Sequence, residues 1–229
     1  MRQVSGRAEG DPVARFRDFI GRRRFPCVGA KSALAKDQMH FFVGRCLTDA
    51  SDDARLLSAI YRFIAAYRRD RAPFTTFVAI FQLPRDLSEI AFERAMWRRL
   101  QALHRLDARR YRWDPRVSPD AGSPQFSFSL MAEACFIVGL HGAASRRARR
   151  FAWPTLVLNL HDQFEQLRDD GRFEPLKATI RERDTELDGA PNPMAASHGE
   201  VSEARQYSGR QVGSDWRCPF HAEPEETAA

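Results

Sequence analysis

Apolar residues recur along this chain with two alternating periods, and the alternation predicts its elements. Val13 to Ile20 has the spacing of a short amphipathic helix, and Phe25-Pro26-Cys27-Val28-Gly29-Ala30-Lys31 reads as a loop, because Pro and Gly argue against a continuing helix. Met39 to Leu47 is a buried strand. Asp49 to Asp53 offers N-cap chemistry, after which Leu56, Leu57, Ile60, Phe63, Ile64 and Tyr67 repeat at helical spacing up to about Arg71. Phe74 to Gln82 is rich in Phe, Thr, Val and Ile and predicts a second buried strand. Leu87 to Arg109 then repeats Ile90, Phe92, Met96, Trp97, Leu100, Leu103 and Leu106, a long helix. Gln125 to Leu130, Ala134 to His141 and Thr155 to Leu160 predict three more strands, and Asp162 to Asp170 and Pro175 to Leu187 two more helices. From Asp188 onward Gly, Pro, Ser and Asn dominate and no period survives.

Strands that first alternate with long helices and then cluster predict an α/β or α+β class. The expected architecture is a single domain over residues 13–221, a mixed sheet of about five strands covered by helices, with residues 1–12 and 222–229 disordered. The C-terminal stretch does not fit a plain tail. It carries Tyr207, Trp216, Cys218 and Phe220, so it either folds over something or wastes large aromatics.

Composition narrows the class. Of 229 residues, 43% are hydrophobic, enough for a sizeable core, and 29% are charged. No apolar run approaches the roughly 20 residues of a membrane span, and Met1 to Asp11 has no apolar signal core, so the expectation is a cytoplasmic protein with no membrane partner. The net charge of +6 and the blocks Arg22-Arg23-Arg24, Arg68-Arg69-Asp70-Arg71 and Arg146-Arg147-Ala148-Arg149-Arg150 raise nucleic acid as a partner. Acidic residues are mixed through the rest and no nucleic-acid-binding motif is visible, so the basic blocks are read as solvated helix ends and loops. No phosphate loop or G-x-G-x-x-G is present. Cys27, Cys46, Cys135 and Cys218 are far apart, which excludes a zinc ribbon and a C-x-x-C-H haem attachment.

Among candidate chemical groups, His161 stands where an apolar strand meets a helix, a place where ligands sit in open sheets. Glu165, four residues on, shares its helix face, and the pair could take part in a non-haem metal site whose third ligand has no visible spacing. His141 ends another apolar strand. Cys46 and Cys135 lie in strand-like runs and read as small buried hydrophobes, whereas Cys27 and Cys218 adjoin Pro and Phe in irregular segments where sulfur can line a pocket.

Three blocks, Phe25-Pro26-Cys27, Asn159 to Arg168 and Asn192 to Phe220, together resemble the YqcI/YcgG-like family, which includes haem-dependent enzymes that N-hydroxylate the guanidino group of arginine or a cyclic derivative in natural-product pathways. The resemblance implies a non-covalent haem b with oxygen or peroxide as oxidant, and a separate reductase where oxygen is used. It implies an axial ligand from His161, with Cys218 and Cys27 as alternatives. A guanidinium substrate calls for a carboxylate that accepts paired hydrogen bonds. Glu203 is the first candidate, as acceptor and catalytic group, with Glu165 and Asp215 next. Arg205 or Arg210 would meet a substrate carboxylate or haem propionate, and Tyr207 and Trp216 would stack on the guanidinium or porphyrin. The competing expectations are a haem carrier or sensor without hydroxylase activity, and a basic nucleic-acid-interacting protein.

Overall fold

A computed structural model describes residues 10–223. The Phe-, Val- and Ile-rich segments pair into one open sheet of strands β1 (Met39–Cys46), β2 (Thr76–Leu83), β3 (Phe128–Leu130), β4 (Glu133–Leu140) and β5 (Thr155–Leu160), in the order β1-β2-β5-β4-β3. β1 and β2 run parallel, as they must when an 18-residue helix, α3 (Asp53–Asp70), carries the chain back between them. Every other neighbour is antiparallel. The class is therefore α+β, with a mixed sheet in one compact domain.

β3 and β4 are joined at Met131 and Ala132, whose φ values of 55° and 53° are left-handed. Two-residue hairpins favour such turns because they match strand twist. Neither residue is glycine, and the Arg68 guanidinium donates to both carbonyls, at 2.8 and 3.3 Å, holding the turn.

Alternation along the strands sends side chains to two faces. Phe77, Ala79, Phe81, Leu156, Leu158, Leu160, Cys135 and Ile137 belong to the larger core, which they share with Leu56, Ile60 and Ile64 of α3 and Phe92, Met96 and Leu100 of α4 (Glu89–Asp107). Val78, Ile80 and Leu140 belong to a second core, formed with Phe16, Phe19 and Ile20 of α1 (Pro12–Gly21) and Ala33 of α2 (Val28–Ala35). Burial on both faces explains why β2 reads as an unbroken apolar run through Phe81.

Three further helices complete the fold: α5 (His161–Asp169), α6 (Phe173–Asp188) and α7 (Ala204–Tyr207). At Gly139 on β4 a Cβ would stand 2.6 Å from the Phe92 ring and 3.0 Å from the Tyr207 carbonyl oxygen, so only glycine lets α4 and α7 approach the strand this closely. No helix among the described residues is long and apolar enough to cross a membrane.

The structure corrects several sequence expectations. The segment read as a loop after Phe25 is helical from Val28, because the Cys27 side chain caps it by accepting from the Ala30 amide at 3.4 Å; Gly29 sits in the first turn, where its helix penalty is small. The strand expected over Gln125–Leu130 is regular only from Phe128. The aperiodic C-terminal stretch is folded. Its Phe220 is 2% exposed and packs edge-on or tilted against Trp97, His104, Trp113, Phe126 and Phe128. The expectation of disorder at both ends gives way where the ends are described: Pro12 opens α1, and the Glu223 amide donates to His104 Nε2 at 2.9 Å. The remainder of those ends lies outside the described residues.

Candidate functional site

The second face of the sheet is not fully filled. Between its strands and α1, α2 and α6 lies a cavity of about 320 Å³, within the size range of small-molecule and cofactor pockets. Its wall is mostly apolar, with Phe16, Ile20, Val78, Val138, Val157 and Ile180 among the lining residues. Its polar groups are few: Cys27, Thr76, Arg149, Asn159, Gln163, Asp184 and Asn192. Gln163 is fixed by donating to the Thr75 carbonyl at 2.7 Å, and Asn159 by accepting from the Thr76 hydroxyl at 2.9 Å.

Cys27 reaches this wall because Pro26 keeps its neighbour out of the helix and the thiol caps the start of α2. Burial pushes its pKa up, while the Ala30 and Gly29 amides and the nearby Arg149 charge pull the other way. Arg149 donates to the carbonyls of Gly139 and Tyr207 at 3.1 Å each and of Gln206 at 3.3 Å. Burial lowers its pKa to about 10, against the opposing charges of Asp184 and Cys27. Its guanidinium is thus a half-buried cation held by neutral carbonyls at the cavity edge, a setting that favours an anion. The Arg146–Arg150 block is correspondingly not solvated as a whole: Arg146 forms ion pairs with Asp184 and Asp188 of α6, at 2.5 and 3.0 Å.

A second constellation lies behind the cavity. His161 opens α5 and is 7% exposed. Its Nε2 lies 2.9 Å from Ser127 Oγ and 3.1 Å from Glu203 Oε2. His198 Nδ1 meets Glu203 Oε1 at 3.0 Å, and the Tyr207 hydroxyl donates to Glu203 Oε2 at 3.2 Å. Burial works to raise the Glu203 pKa, but hydrogen bonds from His161 and His198, and their charges, outweigh it and hold the carboxyl at about 2. Burial and the Glu203 charge push Tyr207 far up, so its hydroxyl stays protonated. Phe136 and Phe164 line the cavity on one side, while Phe136 packs on Tyr207 at 5.5 Å and Phe164 on His161 at 6.0 Å. These two rings join the constellation to the cavity.

Other sequence candidates are dispersed. Glu165 is exposed and pairs with Arg168, so the expected His161–Glu165 pairing gives way to His161–Glu203, which no helical spacing announces. Asp215 is exposed. Arg205 donates to the Gly213 carbonyl at 2.7 Å and lies over Trp216, 5.9 Å from its centroid. Arg210 is held by the buried Glu93 carboxylate at 2.5 Å. Cys218 and Trp216 pack against the larger core, where burial raises the Cys218 pKa to about 12. Cys135 is fully buried and Cys46 only half-buried. His141 is buried and stacks on Phe92 at 4.4 Å. Arg149, Asp184 and His198 carry no signal for this site in the sequence. The first hid in a basic run, the second in a polar helix, and the third in a segment without periodicity.

A haem needs an apolar slot and an axial donor. Of the sulfur and imidazole candidates, Cys27 lines the cavity, His161 turns into the Glu203 cluster, and Cys218 belongs to the opposite core. The donor set therefore fits a haem through Cys27, with Arg149 as a cation for a carboxylate at the same wall.

The profile of the YqcI/YcgG family matches residues 16–221, and the chain belongs to that family. No curated protein and no solved structure matches it.

Proposed function

We propose that this YqcI/YcgG-family protein is a haem-dependent N-hydroxylase acting on the guanidino group of arginine or an arginine-derived amino acid, with haem b in the cavity between the sheet and helices α1, α2 and α6. The observation that carries the reading is a lone thiol, Cys27, at a helix N-terminus in the wall of an apolar cavity beside a half-buried arginine. Bound haem would supply oxygen activation, and a thiolate donor favours O–O cleavage.

The chain's own residues have definable tasks in this scheme. Cys27 must lose its proton to act as a ligand, and the amides of Ala30 and Gly29 together with the Arg149 charge are what favour the anion against burial. Arg149 suits a haem propionate or a substrate carboxylate. Asn159 and Gln163 are held in fixed orientations at the wall, where they can orient a polar substrate. Asp184 is the carboxylate on the wall, bonded to Arg146 through Oδ2, and is the acceptor that would meet a guanidinium in the cavity. Both oxygens of Glu203 are already engaged by His161, His198 and Tyr207, so its part is to hold that cluster together. Apolar walls exclude water from the reacting nitrogen. Reducing equivalents would come from a separate reductase, or peroxide would replace oxygen and reductant together.

The test is hemin titration of wild-type protein beside Cys27→Ala, His161→Ala and Cys218→Ala, followed by turnover of L-arginine with oxygen and a reductant. Wild type, His161→Ala and Cys218→Ala should give a thiolate-type ferrous–CO spectrum, and Cys27→Ala should not. Folded wild-type protein that takes up no hemin, or a Cys27→Ala spectrum equal to wild type, would overturn the assignment. A normal spectrum without turnover would select the carrier or sensor reading.

A further inference from the structure

The His161–His198–Glu203 cluster is overbuilt for a hydrogen-bonded structural motif. His161 Nε2 faces two partners at once, Ser127 Oγ and Glu203 Oε2, and one ring nitrogen directs one strong bond. Glu203 has both oxygens turned to imidazole nitrogens, Oε2 to His161 Nε2 and Oε1 to His198 Nδ1. One donor atom from each residue lies within 4.8 Å of the others, so small side-chain shifts bring all of them to the roughly 2.0–2.2 Å that a divalent zinc-type ion requires.

The surroundings favour a cation as well. Glu203 is 3% exposed and His161 7%, which keeps the charge interaction strong, while His198 is half-buried and leaves one side open. The donors come from separate elements that are independently anchored. His161 starts α5 at the end of β5. The His198–Glu203 segment is pinned to the 118–126 loop by Gly199 N donating to the Pro124 carbonyl at 3.1 Å and Ser202 Oγ to the Ala121 carbonyl at 2.7 Å. The left-handed turn at Gly199, with φ of 88°, lets His198 and Glu203 converge. Ser127 and Tyr207 contact the donors from behind, as outer partners do in metal sites.

We propose that His161, His198 and Glu203 form a three-donor site for a divalent first-row transition cation, separate from the cavity and independent of whether haem binds there. Two imidazoles and one carboxylate with an open side match zinc and non-haem iron(II) sites alike. Coordination would replace the hydrogen bonds of His161 Nε2 to Ser127 and Glu203, with the ring proton carried on Nδ1.

The test uses tag-free, haem-free full-length protein, stripped with chelator and dialysed against ZnCl₂ or CoCl₂. Wild type should retain one ion per chain, and the Co²⁺ form should show visible bands of a low-coordinate site. Glu203→Gln and His198→Ala should each abolish retention, with circular dichroism confirming that they fold. His198 lies in a loop, so its variant keeps the test interpretable if Glu203→Gln unfolds. Ser127→Ala should weaken affinity on the order of 10-fold, and Cys27→Ala should leave it unchanged. Folded wild-type protein that retains neither ion, or retention unaffected by both ligand variants, would overturn the site. Retention lost in Cys27→Ala would place the metal in the cavity instead and overturn it equally.

Discussion

The two faces of the sheet are made of the same kinds of side chain and end up with opposite properties. Against α3 and α4, Phe92, Phe126, Phe128 and Ile60 are fully buried, and Phe220 from the far end of the chain closes the layer. Against α1, α2 and α6, Phe16, Val78 and Ile80 are equally buried, yet a cavity remains beside them, and Cys27 and Arg149 border it. On the first face the aromatic core is closed by ring against ring. On the other, packing stops short and leaves a thiol and a cation at the boundary, which is where a ligand can contribute what protein atoms do not.

Several substitutions would break or sharpen this contrast. The largest effect is expected on the packed face: Phe220→Ala should lower the unfolding free energy by about 3 kcal/mol, read as a reduced denaturation midpoint. A loss of a few tenths would mean that the terminal segment is only loosely attached. Acid titration addresses the border between the faces. The Glu203 pKa is held near 2, below its usual 4.5, so the folded state binds fewer protons than the unfolded chain between those values. Its contribution to stability is complete above about pH 4.5 and is lost as pH falls toward 2. Glu203→Gln should flatten this acid limb of the stability profile, and an unchanged limb would show that the imidazoles do not hold the carboxylate.

On the cavity face, Val157→Phe should change stability by less than about 1.5 kcal/mol, since it fills space instead of overpacking a dense core. It should nonetheless abolish hemin uptake. A loss of stability as large as that of Phe220→Ala would mean the cavity is not available volume. A further pH effect belongs to Asp107, whose pKa burial raises to about 6 despite hydrogen bonds from Tyr61 and Met131. A carboxyl raised in the folded state favours folding below its usual 3.8 and loses that contribution as pH rises through 6. Asp107→Asn should remove this decline, measured by denaturation between pH 4 and 7.

Much of the fold was legible because period and composition act locally. The five strands and the long α3 and α4 follow from runs such as Phe77–Phe81 and from Leu56, Ile60 and Ile64, whose spacing says which side is wet. α2 escaped because its start depends on one thiol accepting one amide, a single interaction that carries no repeating signal. The C-terminal segment escaped for a related reason. Its Phe220 is ordered by aromatic rings scattered from Trp97 to Phe128, and its own neighbours give no period.

For the site, the residue types were visible in the sequence: sulfurs beside proline, a histidine at a strand end, a carboxylate in a loop. Which of them meet was decided by tertiary structure. His161 and Glu203 are 42 positions apart, and Cys27 and Arg149 are farther still. Their encounter depends on strand order and on which face each strand residue points to. Local pattern fixes an element because the forces involved act within a few residues. A site is assembled by contacts between distant segments, and only the packed sheet sets those distances.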